Sequence, residues 1–369
     1  MTAPYPSVAA ADPGRVREVC ARALDGVAPG VEDLQTLLGI GTTEAAEPVF
    51  AAARELRGRA FGDAVFLYGF VYFSTYCRNR CSFCLYRKGN EPSPRYRKSG
   101  DEVVAICRDL AGSGVDLLDL TLGEDPLLHD SGDFTPLVDL VHDVRAATGL
   151  PVMVSPGVVP APVLTQLRGA GADFYACYQE THTRELYARL RVGQDFDERA
   201  GARRAARRAG LLVEDGMLTG VGDGVTDRAD SIEAMRAAAW DQVRVMTFVP
   251  QEGTPMSGRE MAPVLDELLV IAALRLALPG SLIPASLDVE GLDGMAARLD
   301  AGANVVTSIV PPHTGLCGVS NSELDVEEGR RTAAAVREAL SRIGLRQAGK
   351  GEFRAWIEAA KARHEELAQ

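Results

Sequence analysis

Three of the seven cysteines, Cys77, Cys81 and Cys84, lie within eight positions of one another. Thiolates are soft ligands, and a short run of them is typical of an iron-sulfur or zinc site. The spacing C-x3-C-x2-C predicts three ligands for a four-iron cluster, whose fourth iron has no protein ligand. The alternative, a structural zinc site, needs a fourth ligand for tetrahedral closure. No histidine follows within forty residues, since the next is His129, and the cluster is therefore favoured.

From residue 65 onward, short β-rich runs alternate with helical stretches, without a low-complexity linker. This alternation predicts parallel strands joined by crossover helices. Eight such units favour an α/β fold, a closed (βα)8 TIM-type barrel, with its chemistry at the C-terminal ends of the strands. We expect an N-terminal helical extension (1–60), the barrel (61–320) and a C-terminal helical segment (321–369). The predicted strands are 65–74, 115–122, 151–155, 173–178, 212–219, 242–249, 282–287 and 304–309.

Composition excludes several classes of protein. The 369 residues include 39 Lys and Arg against 51 Asp and Glu, a formal net charge of −12. A non-specific nucleic-acid binder needs clustered positive charge, so we expect no nucleic-acid partner. The longest apolar run, 65–73, is about half as long as a membrane-spanning helix. The first residues do not combine a basic with an apolar segment, so we expect no secretion signal. We therefore expect a cytoplasmic protein without a membrane partner.

The cysteine segment resembles that of the radical S-adenosylmethionine (SAM) superfamily. Further stretches resemble its biotin synthase and hydrogenase-maturase group, and most closely the 3-methylornithine synthases of pyrrolysine biosynthesis. The likeness covers about residues 65 to 320. It implies a [4Fe-4S] cluster and SAM as cofactors, and a reduced flavodoxin or ferredoxin-type protein as electron donor. The stretches that carry this resemblance, besides the cysteine segment, are FSTYC at 73–77, DLTLGEDP at 119–126, TFVPQEGTP at 247–255, PASLD at 284–288 and LDAGANVVTSIVPP at 299–312.

The same resemblance implies which residues contact SAM. Leu122 stands where the superfamily motif begins with glycine, which weakens the match at that point. Glu124 and Arg199 have a simpler alternative as surface charges, and the glycines around Gly222 as an ordinary turn. The predicted SAM contacts are Phe83, Gly123, Glu124, Glu180, Arg199 and Gly222.

Strand alternation predicts a substrate site. It turns Asp119, on the second strand, and Arg244, on the sixth, toward the barrel interior, and places Ser286 and Asp288 together at the end of the seventh. A buried arginine is unfavourable unless it is paired or binds a ligand. One cation and two anions complement an amino acid that carries a second ammonium group, such as lysine. The alternative is an internal Arg-Asp ion pair.

The resemblance implies a carbon-skeleton mutase that converts L-lysine to (3R)-3-methyl-D-ornithine. A deoxyadenosyl radical would remove a hydrogen from Cγ, and the chain would fragment between Cα and Cβ and recombine. The radical comes from the cofactor, so we predict no catalytic side chain. Two alternatives remain open at this point. One is a radical SAM enzyme of the same group that acts on another amino acid or in hydrogenase cofactor maturation, and the other is a zinc-stabilised binding protein without turnover.

Overall fold

The computed structural model describes residues 12–318 and 331–367. Eight parallel strands lie in the order β6-β5-β4-β3-β2-β1-β8-β7. Between β6 and β7, a single parallel bridge from Gln242 to Leu282 nearly closes the sheet into a barrel. The predicted eight-stranded barrel is thereby confirmed. The strands are β1 (Ala64–Ser74), β2 (Leu117–Leu122), β3 (Val152–Ser155), β4 (Ala172–Ala176), β5 (Leu212–Thr219), β6 (Gln242–Thr247), β7 (Pro284–Ser286) and β8 (Val305–Ile309).

Helices connect these strands, and residues at the helix ends determine where each helix begins and ends. Ser99 and Glu102 form a capping box at the start of α4, and Gly114 ends that helix in the left-handed conformation. The helices are α1 (Pro13–Leu24), α2 (Val31–Leu38), α3 (Thr43–Phe61), α4 (Gly100–Ser113), α5 (Pro126–His129), α6 (Thr135–Thr148), α7 (Ala161–Ala170), α8 (Arg184–Leu190), α9 (Phe196–Arg208), α10 (Val225–Ala237), α11 (Val264–Ala277), α12 (Gly291–Asp300), α13 (Ala333–Arg342) and α14 (Glu352–Leu367).

Each observed barrel strand overlaps its predicted range, whereas several smaller elements were not predicted. The separate helices α2, α5 and α8 belong to this group, as does the two-residue strand β9 (Arg346–Gln347) beside β1. The sequence also predicts helices over 259–277 and 325–343. The first, α11, begins only at Val264, because Pro263 occupies its N-cap, and part of the second lies outside the described residues. The division into extension, barrel and C-terminal segment stays a prediction.

The C-terminal helix α14 closes the barrel at the N-terminal ends of its strands. Phe353 is buried, with its ring centroid 4.9 Å from Phe66 and 5.5 Å from Tyr68. The rings of Phe174 and Trp356 stack beside it. This aromatic plug fills one end of the barrel and leaves the opposite end open for a site.

The first three helices cover one side of the barrel. Helix α3 packs on α11, and α2 packs on α10. Buried apolar residues from these helices, including Leu34, Leu37 and Val49, continue the layer between the strands and their helices. Among the described residues, no helix combines the length and the apolar character needed to cross a membrane.

Candidate active site

A cavity with an empty volume of about 960 Å³, part of it open to solvent, lies at the C-terminal ends of the strands. Its size suits a small molecule held with a cofactor. Hydroxyl side chains at or near the ends of several strands line it. All four predicted substrate residues line the same cavity, together with three residues of the predicted cofactor site. These seven are Asp119, Arg244, Ser286, Asp288, Phe83, Cys84 and Glu180.

The three clustered cysteines lie on the loop after β1, beside this cavity. Cys81 is buried, and Cys77 and Cys84 are half-buried. Burial raises the pKa of Cys77 to about 11. Within the described ranges, no three His, Cys, Asp or Glu side chains are placed to hold one metal ion.

Gly123 brings β2 into direct contact with the cysteine loop. A Cβ at this position would lie 2.3 Å from the carbonyl oxygen of Tyr76 and 2.9 Å from Cβ of Cys77. The Gly123 amide also donates to the Ser74 carbonyl over 2.9 Å. Only glycine therefore permits this approach, and its immediate partner is the loop itself.

Glu180 follows β4 in the left-handed conformation, with φ of 69°. Such a backbone is unusual outside glycine and is often found at functional sites. One carboxylate oxygen, Oε1, pairs with buried Arg191, and the other, Oε2, is buried and has no hydrogen-bond partner within residues 12–318 and 331–367. A buried carboxylate oxygen without a donor is costly. Since Glu180 lines the cavity, its Oε2 is available to a ligand.

The other predicted SAM contacts lie behind the cavity lining. Glu124 Oε2 accepts from Arg78 over 3.1 Å, and Oε1 lies 3.6 Å from Nη1 of Arg199. Burial raises the pKa of Glu124, but the charges of Arg199 and His129 outweigh it, so the pKa is below its ordinary value. Glu124 and Arg199 are both buried, so the surface-charge alternative is wrong for both. Gly222 has φ of 97° and faces the guanidinium of Arg259 instead of the cavity.

Arg244 has a partner that the sequence analysis missed. Its Nε donates to Oε1 of Glu214 on β5 over 2.8 Å, and Tyr178 donates to Oε2 over 2.9 Å. The internal pair is thus Arg-Glu and not the Arg-Asp pair considered from the sequence. Nη2 of Arg244 is buried and has no hydrogen-bond partner in the described part of the chain. The sequence did contain a signal for this partner, because Glu214 is an acid within a buried strand. It lies two residues before Gly216 and therefore on the same face of β5, and Gly216 is paired with Arg244 on β6.

Asp119 is buried next to this pair. Thr121 and Ser155 both donate to its Oδ1, over 3.0 and 3.3 Å. Burial and the neighbouring Glu214 charge raise the pKa of Asp119 to about 7, against the opposing effect of Arg244. The carboxyl group is therefore about half ionised near neutral pH, and a nearby cation favours its charged form.

Asp288 lies at the end of β7, as predicted, and already has a cationic neighbour. Arg331, another residue that the sequence analysis missed, places Nη1 2.5 Å from Oδ1 of Asp288. Ser308, on β8, donates to Oδ2 over 3.1 Å and lies 3.2 Å from the hydroxyl of Ser286. The backbone of Ser308 has φ of 66°. Strand geometry brought Ser286 and Asp288 together, whereas Arg331 arrives from a distant part of the chain.

The barrel, with its three cysteines on the loop after the first strand, has the architecture of a radical SAM enzyme. The model of the radical SAM superfamily matches residues 71–255. A 3-methylornithine synthase from Methanosarcina barkeri is 48% identical over 88% of this chain and 91% of its own length. The crystal structure of methylornithine synthase (PylB) superposes with a TM-score of 0.87 at 46% identity, covering 92% of this chain and 99% of that one. The chain belongs to the 3-methylornithine synthase family within the radical SAM superfamily.

A more distant relative matches about three quarters of this chain. The [FeFe] hydrogenase maturase subunit HydE of Thermotoga maritima is 29% identical over 74% of this chain and 78% of its own length. The predicted resemblance to the maturase and methylornithine synthase groups is confirmed.

The cofactors of this family are a [4Fe-4S] cluster and SAM. The residues present fit both groups. Three cysteine thiols lie on one loop, next to a cavity that includes Cys84. The buried Oε2 of Glu180, which has no hydrogen-bond partner in the ranges that the structure describes, can accept from a hydroxyl or ammonium group of a ligand.

Proposed function

We propose that this chain converts L-lysine to (3R)-3-methyl-D-ornithine in the cavity at the C-terminal ends of the strands. The single observation that carries the proposal is the shared cavity of Asp119, Arg244, Ser286, Asp288 and Cys84. Groups that would bind an amino acid thus line the same cavity as one of the cluster cysteines. Membership in the 3-methylornithine synthase family supports the same reaction.

Charge complementarity supports a substrate with two ammonium groups. Four ion pairs surround the cavity, namely Arg244–Glu214, Arg331–Asp288, Arg298–Glu267 and Arg191–Glu180. These pairs compensate one another, so the negative charge of Asp119 is left over when that acid is ionised. Lysine at neutral pH carries one net positive charge, since both of its amines are protonated. A neutral amino acid would leave this site with an uncompensated charge.

The orientation of the substrate follows from the polar groups that line the cavity. Nη2 of Arg244, which is buried and has no partner among the residues that the structure describes, would donate to the substrate carboxylate. The hydroxyl of Ser286 lines the cavity and would contact the end of the substrate that carries the carboxylate and the α-ammonium group. The carboxylates of Asp119 and Asp288 would accept from the ammonium groups.

The cofactors would be held by residues of the neighbouring part of the site. Cys77, Cys81 and Cys84 would ligate the cluster, and Glu180 would accept from SAM, with Phe83 beside it. Together the cluster and SAM supply the radical that removes a hydrogen atom from the substrate. Arg199, Glu124, Gly123 and Gly222 would contribute by supporting the loops around SAM.

Enclosure is the main task of the protein in such a reaction. Fragments of a cleaved carbon chain must recombine before they diffuse apart, so they have to be held at both ends. The apolar side chains of Phe70, Leu218 and Phe248 line the same cavity and limit the entry of water. No acid or base is required for a hydrogen-atom transfer, so no catalytic side chain is assigned.

A basic stretch around the cysteines favours an acidic electron donor of flavodoxin or ferredoxin type. Positions 78 to 98 contain seven Lys and Arg residues and one acid, in a chain with net charge −12. Arg80 and Lys88 are exposed, and no carboxylate in the described ranges forms an ion pair with either. Arg87 and Arg95 donate to backbone carbonyls, so their charges also stay uncompensated. Such a patch attracts an acidic protein electrostatically.

Turnover of L-lysine is the direct test. The chain is reconstituted anaerobically with iron and sulfide, and incubated with SAM, a strong reductant and L-lysine. We expect an isomer of lysine, with unchanged mass and altered retention, together with 5′-deoxyadenosine. Unchanged lysine, under conditions in which another amino acid drives 5′-deoxyadenosine formation, would contradict the substrate assignment. Arg244→Ala is expected to abolish turnover with its iron content intact, whereas Arg236→Ala, at a surface ion pair on α10, serves as control.

A further inference from the structure

Cys81 differs from the other two clustered cysteines in what surrounds its sulfur. Gln194 places Nε2 3.1 Å from Sγ of Cys81, and Arg191 places Nη1 3.7 Å from the same atom. The sulfurs of Cys77 and Cys84 interact instead with backbone amides, those of Asn79 and Tyr86 among them. Among the three sulfurs, Cys81 is thus the one with side-chain donors in the described ranges.

The orientation of the Gln194 amide is set by Arg191. Arginine only donates hydrogen bonds, and its Nη1 lies 3.3 Å from Oε1 of Gln194. The amide oxygen is therefore occupied, and the NH2 group must face Cys81. The backbone N–H of Gln194 also donates to the carbonyl of Arg191 over 3.0 Å, which keeps the two residues next to each other.

This short segment after α8 is also anchored to the cysteine loop. The amide of Ser82, next to Cys81, donates to the carbonyl of Leu190 over 2.8 Å. Arg191 itself is buried and is held by Glu180, its ion-pair partner. The two donors therefore keep a fixed position relative to the sulfur.

We infer that Gln194, supported by Arg191, is a positioning residue that raises the reduction potential of the cluster. The inference rests on the proposed binding of a [4Fe-4S] cluster by Cys81. Reduction adds one electron from a low-potential reductant and makes the cluster and its thiolates more negative. Donors and positive charge at a ligand sulfur stabilise that reduced state, and hydrogen bonds to sulfur are a recognised means of setting cluster potentials. Neither Gln194 nor Arg191 lines the cavity of the proposed substrate site.

The test replaces the donor without changing the size of the side chain. Gln194→Met keeps the length but removes the N–H groups, and Gln194→Glu introduces a negative charge next to the sulfur. Arg189→Met is the control, since Arg189 is exposed on α8 and its loss removes a positive charge close by in the sequence. Each full-length protein is reconstituted and titrated anaerobically, with the reduced cluster followed by electron paramagnetic resonance.

For Gln194→Met we expect the equilibrium constant for reduction to fall about tenfold, which is about 59 mV for a one-electron couple. Gln194→Glu is expected to lower it further, and Arg189→Met to leave it within about twofold. The resonance g-values should change only in the Gln194 variants. An unchanged potential in both Gln194 variants overturns the inference. So does a Gln194→Met protein that no longer holds iron, because the side chain would then retain the cluster instead of setting its potential. A wild-type chain that binds no four-iron cluster would instead refute the proposed function.

Discussion

Nε of Arg244 lies 2.8 Å from Oε1 of Glu214 inside the barrel, while Nη2 of the same guanidinium has no hydrogen-bond partner among the described residues. Glu214 thus compensates the charge of Arg244 without using all of its donors. Burial lowers the pKa of Arg244, but the Glu214 carboxylate outweighs this effect and the net pKa is raised. The guanidinium therefore stays charged where it lines the cavity.

Replacement of the anchoring carboxylate should weaken substrate binding. Glu214→Gln keeps the size of the side chain but removes the charge that orients Arg244. We expect KM for L-lysine to increase about tenfold, or about 1.4 kcal/mol, with unchanged iron content. Steady-state kinetics measure this effect. Glu233→Gln, at a surface ion pair on α10, should leave KM unchanged, and the same KM in Glu214→Gln would argue against the anchoring role.

The pH dependence of substrate binding should follow Asp119, whose pKa is raised to about 7. Below that pH the carboxyl group is neutral and attracts an ammonium group weakly. Above it the group is charged, while both amines of lysine stay protonated up to about pH 9. KM should therefore fall as the pH rises from 6 to 8. Asp119→Asn should raise KM and remove this dependence, and a KM profile that is as steep as the wild type in this variant would exclude Asp119 as its origin.

The raised pKa of Asp119 also predicts a change in stability with the sign opposite to that of an ordinary paired carboxylate. Its folded-state pKa of about 7 lies above the unfolded value of 3.8, so the folded protein binds the proton more tightly. This contribution is fully present below pH 3.8 and is lost as the pH rises to 7. Without substrate, Asp119→Asn should therefore flatten the fall in unfolding free energy between about pH 4 and 7. Urea unfolding at several pH values measures the free energy of unfolding. If this free energy changes equally with pH in the wild type and in Asp119→Asn, the raised pKa of Asp119 is refuted.

Loss of a cluster ligand can be separated from loss of a buried thiol. Cys84→Ala should prevent reconstitution of the brown four-iron cluster, because two thiolates remain on the loop. Cys107→Ala removes a fully buried cysteine from α4 and should retain the visible absorption and the iron. Iron and sulfide analysis with absorption spectra distinguishes the two. Equal iron content in both variants would contradict the ligand assignment.

The aromatic plug should contribute strongly to stability. Phe353→Ala removes a ring packed on Phe66 and Tyr68, and truncation of a buried phenylalanine typically costs about 3–5 kcal/mol. Leu127→Ala is the matched control, since Leu127 is 63% exposed and its truncation should cost less than about 0.5 kcal/mol. Denaturant unfolding measures both. Similar losses in the two variants would show that Phe353 has no special role in closing the barrel.

Reduction by a protein donor should depend on the basic stretch around the cysteines. The double variant Arg80→Glu, Lys88→Glu is expected to slow reduction by flavodoxin about tenfold at low salt, with little change when dithionite is the reductant. The wild-type rate should fall as salt is added, because the attraction is screened. Arg342→Glu, at an exposed position on α13, is the control. Equal slowing with dithionite would point to damage at the cluster and not to docking.

Much of this protein was determined by local patterns in its sequence. The C-x3-C-x2-C spacing lies on one loop, and the alternation of strands and helices is a local property. The sequence alone therefore predicts both. Period-two alternation along β2, β6 and β7 similarly predicted that Asp119, Arg244, Ser286 and Asp288 face one interior, and in the structure they line one cavity.

The tertiary structure alone decided which charges are partners. Glu214 reaches Arg244, and Arg331 reaches Asp288, across separations of 30 and 43 residues. Gln194 and Arg191 meet Cys81 because a loop without sequence periodicity folds against the cysteine loop. Closure of the barrel places strand ends beside one another irrespective of their distance in the chain, and the low polarity of the interior then requires each buried charge to find a partner. Periodicity fixes the face on which a side chain lies, but only packing fixes its neighbour.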